Sequence, residues 1–269
     1  MGGGRVETAQ LKSRLVGATL PYRVVLPVNY EAETERERRY PVLYLLHGLA
    51  GHYSDWTERS GLVAYAAQYR LIIVTPEGND GWYTDSPVDP SQRYESYIVQ
   101  ELIPEVDAHY RTIKAREGRA IAGLSMGGYG ALKFGIKHPE MFSFAGSLSG
   151  ALRAAWTRSE LTSYSWTLVP DTLKRAFGPE ENGAHTANDI FRLLREVPAE
   201  RIPSLPYFYL DCGTEDPLIS SSRELSGILL ERKIPHEYRE LPGKHEWPYW
   251  DAQVRDLLRI AAQKMKAEK

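Results

Sequence analysis

The chain has 269 residues, 42% hydrophobic and 25% charged. That is the make-up of a soluble globular protein able to bury roughly 70–75% of its unfolded surface without a disulfide or metal staple. Lysine and arginine number 33 against 35 aspartates and glutamates, a net charge of −2, so no basic footprint for nucleic acid or an anionic membrane is present. The single cysteine, Cys212, excludes an intramolecular disulfide and a cysteine-based metal cluster.

From the N-terminus, Met1–Val6 lacks the apolar stretch of a signal peptide, and Val6 stands where a myristoylation signal wants serine or threonine. As it stands the sequence reads as cytoplasmic; a secreted protein is the alternative if Gly2–Gly4 replace a leader. No run approaches the ~18 apolar residues of a membrane span. Apolar runs follow at Tyr22–Leu26, Val42–Leu46, Leu71–Thr75, Ala120–Leu124, Phe142–Ser147, Tyr207–Leu210 and His236–Leu241. Helical patterns fill the gaps at Gly61–Gln68, Tyr94–Tyr110, Gly127–Lys137, Ser221–Arg232 and Asp251–Lys266. Near-continuous apolar strands alternating with helices predict an α/β protein with a mostly parallel sheet covered on both faces. The runs around Leu15–Leu26 precede any helix and read as antiparallel edge strands. The mixed-charge stretch Glu31–Arg39 reads as a solvated loop. Residues 151–205 carry helical pattern (Leu161–Phe177, Ala187–Glu196) but no strand, which predicts a cap-like insertion on a single domain spanning 1–269.

The sharpest signal is Gly123-Leu124-Ser125-Met126-Gly127, set between an apolar run and a helical pattern. A serine on a tight strand-to-helix turn needs glycine two residues before and after it, because larger side chains collide there. A bare five-residue pattern occurs by chance; the strand and helix flanks mark this one as a nucleophile elbow. The helix start behind it directs free N–H groups at the site, which suits a developing oxyanion. His47-Gly48-Leu49 follows the run Val42–Leu46, where this fold places its second oxyanion donor, so the hole is assigned to the backbone N–H groups of Leu49 and Met126. His47 precedes the serine, the wrong order for the base of this fold, and reads as a hydrogen-bonded structural residue.

The base must follow Ser125. His138 ends the nucleophile's own helix, His185 lies in the insertion, and His236 begins a strand. His245 sits in the turn Pro242-Gly243-Lys244-His245 between a strand and the last helix, a position that suits a loop-borne base. Asp211, Glu215 and Asp216 compete for the orienting acid. Asp211 belongs to a strand end and Glu215 would have to turn back; Asp216 lies far enough out on the loop to reach His245. Cys212 reads as a small buried residue beside that loop.

Leu46-His47-Gly48-Leu49, Gly123–Ala131, Cys212-Gly213-Thr214-Glu215-Asp216 and Gly243-Lys244-His245-Glu246-Trp247 together resemble the esterase D-like serine esterases. That family includes feruloyl, acetyl-xylan and tributyrin esterases, S-formylglutathione hydrolases and mycolyltransferases. The resemblance implies an α/β-hydrolase fold and a serine carboxylic-ester hydrolase without metal or organic cofactor. Gly78–Asp85 is similar to the loop beside the serine in tributyrin and feruloyl esterases, and Gly51–Trp56 to their oxyanion-loop extension. The run Ala50-Gly51-His52, and Leu124 before the serine, depart from S-formylglutathione hydrolases; the doubled glycine Gly127-Gly128 departs from mycolyltransferases.

Seventeen tyrosines and six tryptophans give the composition an aromatic bias. Trp56, Trp82, Trp247 and Trp250 flank the motifs, and Trp156 and Trp166 lie in the insertion. Gly48, Trp56, Trp82, Tyr83 and Trp247 are therefore expected to contact substrate, a small ester with a hydroxycinnamoyl, acetyl-carbohydrate or short-chain acyl group. The alternatives are a thioesterase or acyltransferase of the S-formylglutathione hydrolase kind and, from another class, a non-catalytic binding module on the same fold. A homo-oligomer is compatible with the sequence.

Overall fold

The computed structural model describes residues 4–156, 169–179 and 183–267. Among these, eight strands form one sheet in the order β1-β2-β4-β3-β5-β6-β7-β8. The strands are β1 (Val6–Lys12), β2 (Thr19–Val25), β3 (Val42–Leu46), β4 (Ile72–Pro76), β5 (Arg119–Leu124), β6 (Phe144–Leu148), β7 (Tyr207–Gly213) and β8 (His236–Leu241). β1 pairs with β2, and β2 with β4, antiparallel; every other pairing is parallel. The antiparallel edge starts earlier than the apolar runs predict. Its outer strand is Val6–Lys12, whose residues alternate between exposed and half-buried because one face of that edge strand meets solvent.

The inner strands bury both faces. Val42, Tyr44 and Leu46 join one hydrophobic cluster while Leu43 and Leu45 join the other, the period-two alternation of a pleated strand. The helices are α1 (Asp55–Glu58), α2 (Leu62–Ala66), α3 (Tyr94–Ser96), α4 (Ile103–His109), α5 (Met126–Lys137), α6 (Val169–Phe177), α7 (Ala184–Asn188), α8 (Ile190–Glu196), α9 (Ile219–Glu231) and α10 (Trp247–Lys264). A π-helical stretch, Tyr97–Leu102, joins α3 to α4. Helix α5 lies on β3, β5 and β6, with α8 against it, while α10 lies on β6, β7 and α2.

The register brings the site together. Leu46 pairs with Gly123, Leu124 with Leu148, Leu148 with Asp211, and Gly213 with Leu241. The strand ends are therefore level, and the loops leaving β3, β5, β6, β7 and β8 emerge side by side at the carboxyl edge of the sheet, where open α/β sheets bind ligands. Between β6 and β7, where the sequence predicts the insertion, the described residues hold α6, α7 and α8; the expected helical pattern over 161–168, with Trp166, lies outside them.

Candidate active site

Ser125 joins β5 to α5 at φ 52° and ψ −115°, a conformation L residues avoid. The turn is tight enough that a Cβ on Gly123 would sit 2.5 Å from the Gly127 carbonyl carbon. One on Gly127 would sit 2.6 Å from the carbonyl oxygens of both Leu46 and His47. Backbone hydrogen bonds hold the strained residue: Ser125 N–H donates to Leu148 O at 3.0 Å, and its carbonyl accepts from Ala151 N–H at 3.0 Å. The serine is 6% exposed, so its hydroxyl is presented by the turn rather than by a mobile loop.

His245, on the loop after β8, meets that hydroxyl. Its Nε2 lies 3.0 Å from Ser125 Oγ, and its Nδ1 lies 2.8 Å from Asp216 Oδ2. With the proton on Nδ1, the ring donates to the carboxylate and accepts from the serine, as proton removal from Ser125 requires. Asp216 is 2% exposed, and its other oxygen accepts from Leu218 N–H at 2.8 Å. Burial pushes its carboxyl up. The hydrogen bond and charge of His245, the Leu218 N–H and Ser149 outweigh burial and hold it below the ordinary carboxylate value. Of the rival acids, Asp211 accepts from Tyr249 Oη and, at 3.0 Å, from Tyr209 Oη, while exposed Glu215 lies 3.9 Å from Lys244. Neither is bonded to His245. The other histidines are engaged elsewhere: His138 with Glu95, His185 with backbone carbonyls, and His236 with Ile234 O.

The loop after β3 presses against the serine. A Cβ on Gly48 would lie 2.6 Å from Leu124 Cδ1 and 3.4 Å from Ser125 Cβ, so glycine allows this approach. Met126 opens α5 and has no carbonyl one turn earlier to bond. Among the described residues no acceptor takes the N–H of Leu49 either. Beside them His47 is buried; its Nδ1 lies 2.7 Å from Gly48 O and so carries a proton, and its Nε2 lies 2.9 Å from Gly78 N. The Glu77 carboxylate lies 3.2 Å from the same Nε2.

The aromatic residues expected to contact substrate differ in burial. Trp56 is wholly buried, donates Nε1–H to Leu46 O at 3.0 Å, and meets Trp247 edge-on at 5.4 Å. Tyr83 is also wholly buried. Trp82 is 3% exposed and donates Nε1–H to Thr172 Oγ1 of α6 at 3.0 Å. These three expose almost no surface, whereas Trp247 is half-buried, with the Arg59 guanidinium 4.8 Å from its ring. Trp250, which flanks the motifs in sequence but is not among the expected substrate contacts, lies edge-on to the His245 ring with centroids 4.9 Å apart. Trp250, Trp247 and Trp56 thus form a continuous edge-to-face stack from His245 to Leu46 at the end of β3. Its spacing, five residues past a loop histidine at a helix start, was the available signal.

A hydroxyl on a strained strand–helix turn, a histidine bonded to it and a buried carboxylate behind the ring define an α/β-hydrolase-fold serine hydrolase. The chain belongs to the esterase family: the family model described as "Putative esterase" matches residues 13–260. It is similar to an acetyl esterase of Caldicellulosiruptor saccharolyticus, 28% identical over 254 residues, covering 90% of this chain and 92% of that one. It is 32% identical over 256 residues to an esterase of Mycobacterium tuberculosis, covering 88% of this chain but only 54% of that protein's length. A solved ferulic acid esterase superposes with a TM-score of 0.82 at 28% identity, over 98% of this chain and 99% of that one. The chain is a serine ester hydrolase. Among the described residues no helix is long and apolar enough to cross a membrane.

Proposed function

We propose that Ser125, His245 and Asp216 carry out ester hydrolysis through an acyl-serine on small esters whose alcohol is a carbohydrate, with an acetyl or hydroxycinnamoyl acyl group. The observation that carries the reading is the pair of hydrogen bonds that places His245 between Ser125 and Asp216. Ser125 Oγ attacks the ester carbonyl as its proton passes to Nε2. The N–H groups of Leu49 and Met126 hold the resulting oxyanion, and Nε2–H is then delivered to the departing alkoxide. Water repeats the sequence on the acyl-serine, releasing the acid. Asp216 stays ionised and stabilises the imidazolium.

A carbohydrate alcohol is favoured by a cleft of about 540 Å³ beside the oxyanion loop, where the charged or hydroxyl-bearing side chains of Asp80, Asp171, Thr172, Lys174 and Arg175, with Val88, border a largely apolar surface. Asp80 accepts from Ala50 N–H at 2.8 Å, so one end of the cleft touches the residue after Leu49. Charged and hydroxyl groups there suit a hydroxylated leaving group better than an alkyl chain. The relatives' names, an acetyl esterase and a ferulic acid esterase, support the same substrate range. On this reading the described helices of the 151–205 stretch, α6, α7 and α8, belong to the cap, with α6 as the outer wall of the cleft.

The test is a rate panel of p-nitrophenyl acetate, p-nitrophenyl butyrate, methyl ferulate and an acetylated xylo-oligosaccharide. The expected result is a kcat/KM for p-nitrophenyl acetate above that for the butyrate, which shares its leaving group, together with release of acetate from the oligosaccharide or of ferulate from the methyl ester. Preference for the butyrate, with neither the oligosaccharide nor methyl ferulate hydrolysed, would replace this reading with a short-chain carboxylesterase.

A further inference from the structure

Tyr83 is wholly buried, and its contacts lead to the oxyanion loop. Its ring is inserted between the loop after β4 and α5: a Cβ on Gly78 would lie 2.4 Å from it, and one on Gly130 would lie 2.7 Å from it. The hydroxyl donates to His47 O at 3.1 Å. At the other end, the Tyr83 carbonyl accepts from Lys133 Nζ at 2.7 Å. Lys133 lies two turns along α5 from Ser125 and is fully buried, and its ammonium also bonds Thr84 Oγ1 at 2.6 Å and Glu95 at 2.9 Å. Burial pulls that ammonium down to about 8, and the Glu95 carboxylate beside it opposes the shift by favouring the charged form. Trp82 and Tyr83 both hold positive φ, 52° and 51°, a pair of strained residues that needs such an anchor.

The consequence is geometric. The N–H of Leu49 and the C=O of Gly48 belong to one planar trans peptide, so they point in opposite directions. The Gly48 carbonyl is clamped by His47 Nδ1–H at 2.7 Å and by Gly51 N–H at 3.1 Å. Holding that carbonyl aims the Leu49 N–H away from it. His47 can clamp only if it is itself fixed, and the Tyr83 hydroxyl and the Gly78 N–H hold its two ends.

We infer that Tyr83 is a positioning residue for the oxyanion hole: anchored to the nucleophile helix through Lys133, it fixes His47 and thereby the direction of the Leu49 N–H. The inference rests on the reading of Leu49 as an oxyanion donor. It ties donor and nucleophile to the same helix, so that neither shifts without the other.

The test is Tyr83→Phe, which keeps the ring and removes only the hydroxyl. With p-nitrophenyl acetate, kcat is expected to fall about 10-fold or more with KM within about twofold, because an aimed N–H acts on the transition state. The inhibition constant of a trifluoromethyl ketone, which adds to Ser125 as a tetrahedral oxyanion, should weaken in parallel. A packing role alone would lower the thermal midpoint without that parallel change. Lys133→Met is the second variant; it keeps the volume, and Glu95 retains Lys137 and His138, so the fold is expected to survive. Wild-type kcat in folded Tyr83→Phe, or a kcat loss in both variants without weaker ketone binding, overturns the inference. Leu49→Pro, which deletes the N–H, separates the two claims. If Leu49→Pro is crippled and Tyr83→Phe is not, only the positioning role falls; if folded Leu49→Pro keeps full kcat, the donor reading falls.

Discussion

Asp216, on the loop after β7, and His245, on the loop after β8, meet through a 2.8 Å hydrogen bond across 29 residues of chain. The meeting depends on β7 and β8 ending level, with Gly213 opposite Leu241. A Cβ on Gly213 would lie 2.3 Å from the Gly243 carbonyl oxygen, so the two loops touch at their roots. In Asp216→Asn the amide can donate to Nδ1 and trap the ring with its proton on Nε2, where it cannot accept from Ser125. The expected loss in kcat is about 10³–10⁴-fold. Steady-state kinetics on p-nitrophenyl acetate measure it, and a loss below tenfold would remove Asp216 from the mechanism.

Ser125→Ala takes away the only hydroxyl bonded to His245 Nε2 among the described residues. Turnover should fall at least about 10³-fold, with the residue left to oxyanion donors and binding. A fluorophosphonate probe should label the wild type and not the variant. Wild-type hydrolysis by Ser125→Ala would exclude the acyl-serine route, and an unlabelled wild type would point to an inert binding module.

Steric demands in this chain are legible where a single residue type satisfies them. Gly123 and Gly127 mark the elbow because any Cβ there strikes backbone, and the inner strands show as apolar runs because both their faces are covered. Val6–Lys12 gives no such signal: at a sheet edge its side chains answer only to alternation, and half of them face water. The tryptophans show a different limit. Proximity to a motif says that Trp56 lies near the site, but only the structure reveals that it is wholly buried, bonded to Leu46 O and packed on Trp247. The Tyr83–Lys133 link joins residues 50 apart and depends on a loop conformation with two positive φ values, which no local pattern announces.

The cleft between the Asp80 loop and α6 should read the alcohol half of the ester. Lys174→Ala, and separately Asp171→Ala, remove lining groups that have no place in the Ser125–His245–Asp216 set. With an acetylated xylo-oligosaccharide, KM should rise several-fold, roughly the 1 kcal/mol of one polar contact, with kcat little changed. With p-nitrophenyl acetate, whose leaving group is too small to span the cleft, both constants should hold. An equal change on the two substrates would mean that the cleft does not bind the alcohol.

Asp211 supplies a test in which stability and activity part company. It is buried at the end of β7 and accepts from two tyrosine hydroxyls. Burial raises its carboxyl to about 6; the bonds from Tyr249 and Tyr209 and the charge of Arg239 oppose the shift without cancelling it. An unfolded aspartate titrates near its ordinary value of 3.8, so between about pH 4 and pH 6 the folded protein binds the extra proton. Stability from this group is therefore lost as pH rises through that window, by roughly 3 kcal/mol once both states are ionised. Asn at this position carries no charge to desolvate. The thermal midpoint of Asp211→Asn relative to wild type should thus be more favourable at pH 7.5 than at pH 4.5. The comparison between pH values isolates the ionisation, because rearranged bonds to Tyr209 and Tyr249 enter equally at both. Since His245 bonds Asp216 and not Asp211, the variant should keep kcat within about threefold at pH 7.5, in contrast to the about 10³–10⁴-fold loss expected of Asp216→Asn. A stability difference independent of pH would show that Asp211 is not held protonated by burial. A collapse of kcat in a variant that melts like the wild type would place Asp211 in the proton path instead.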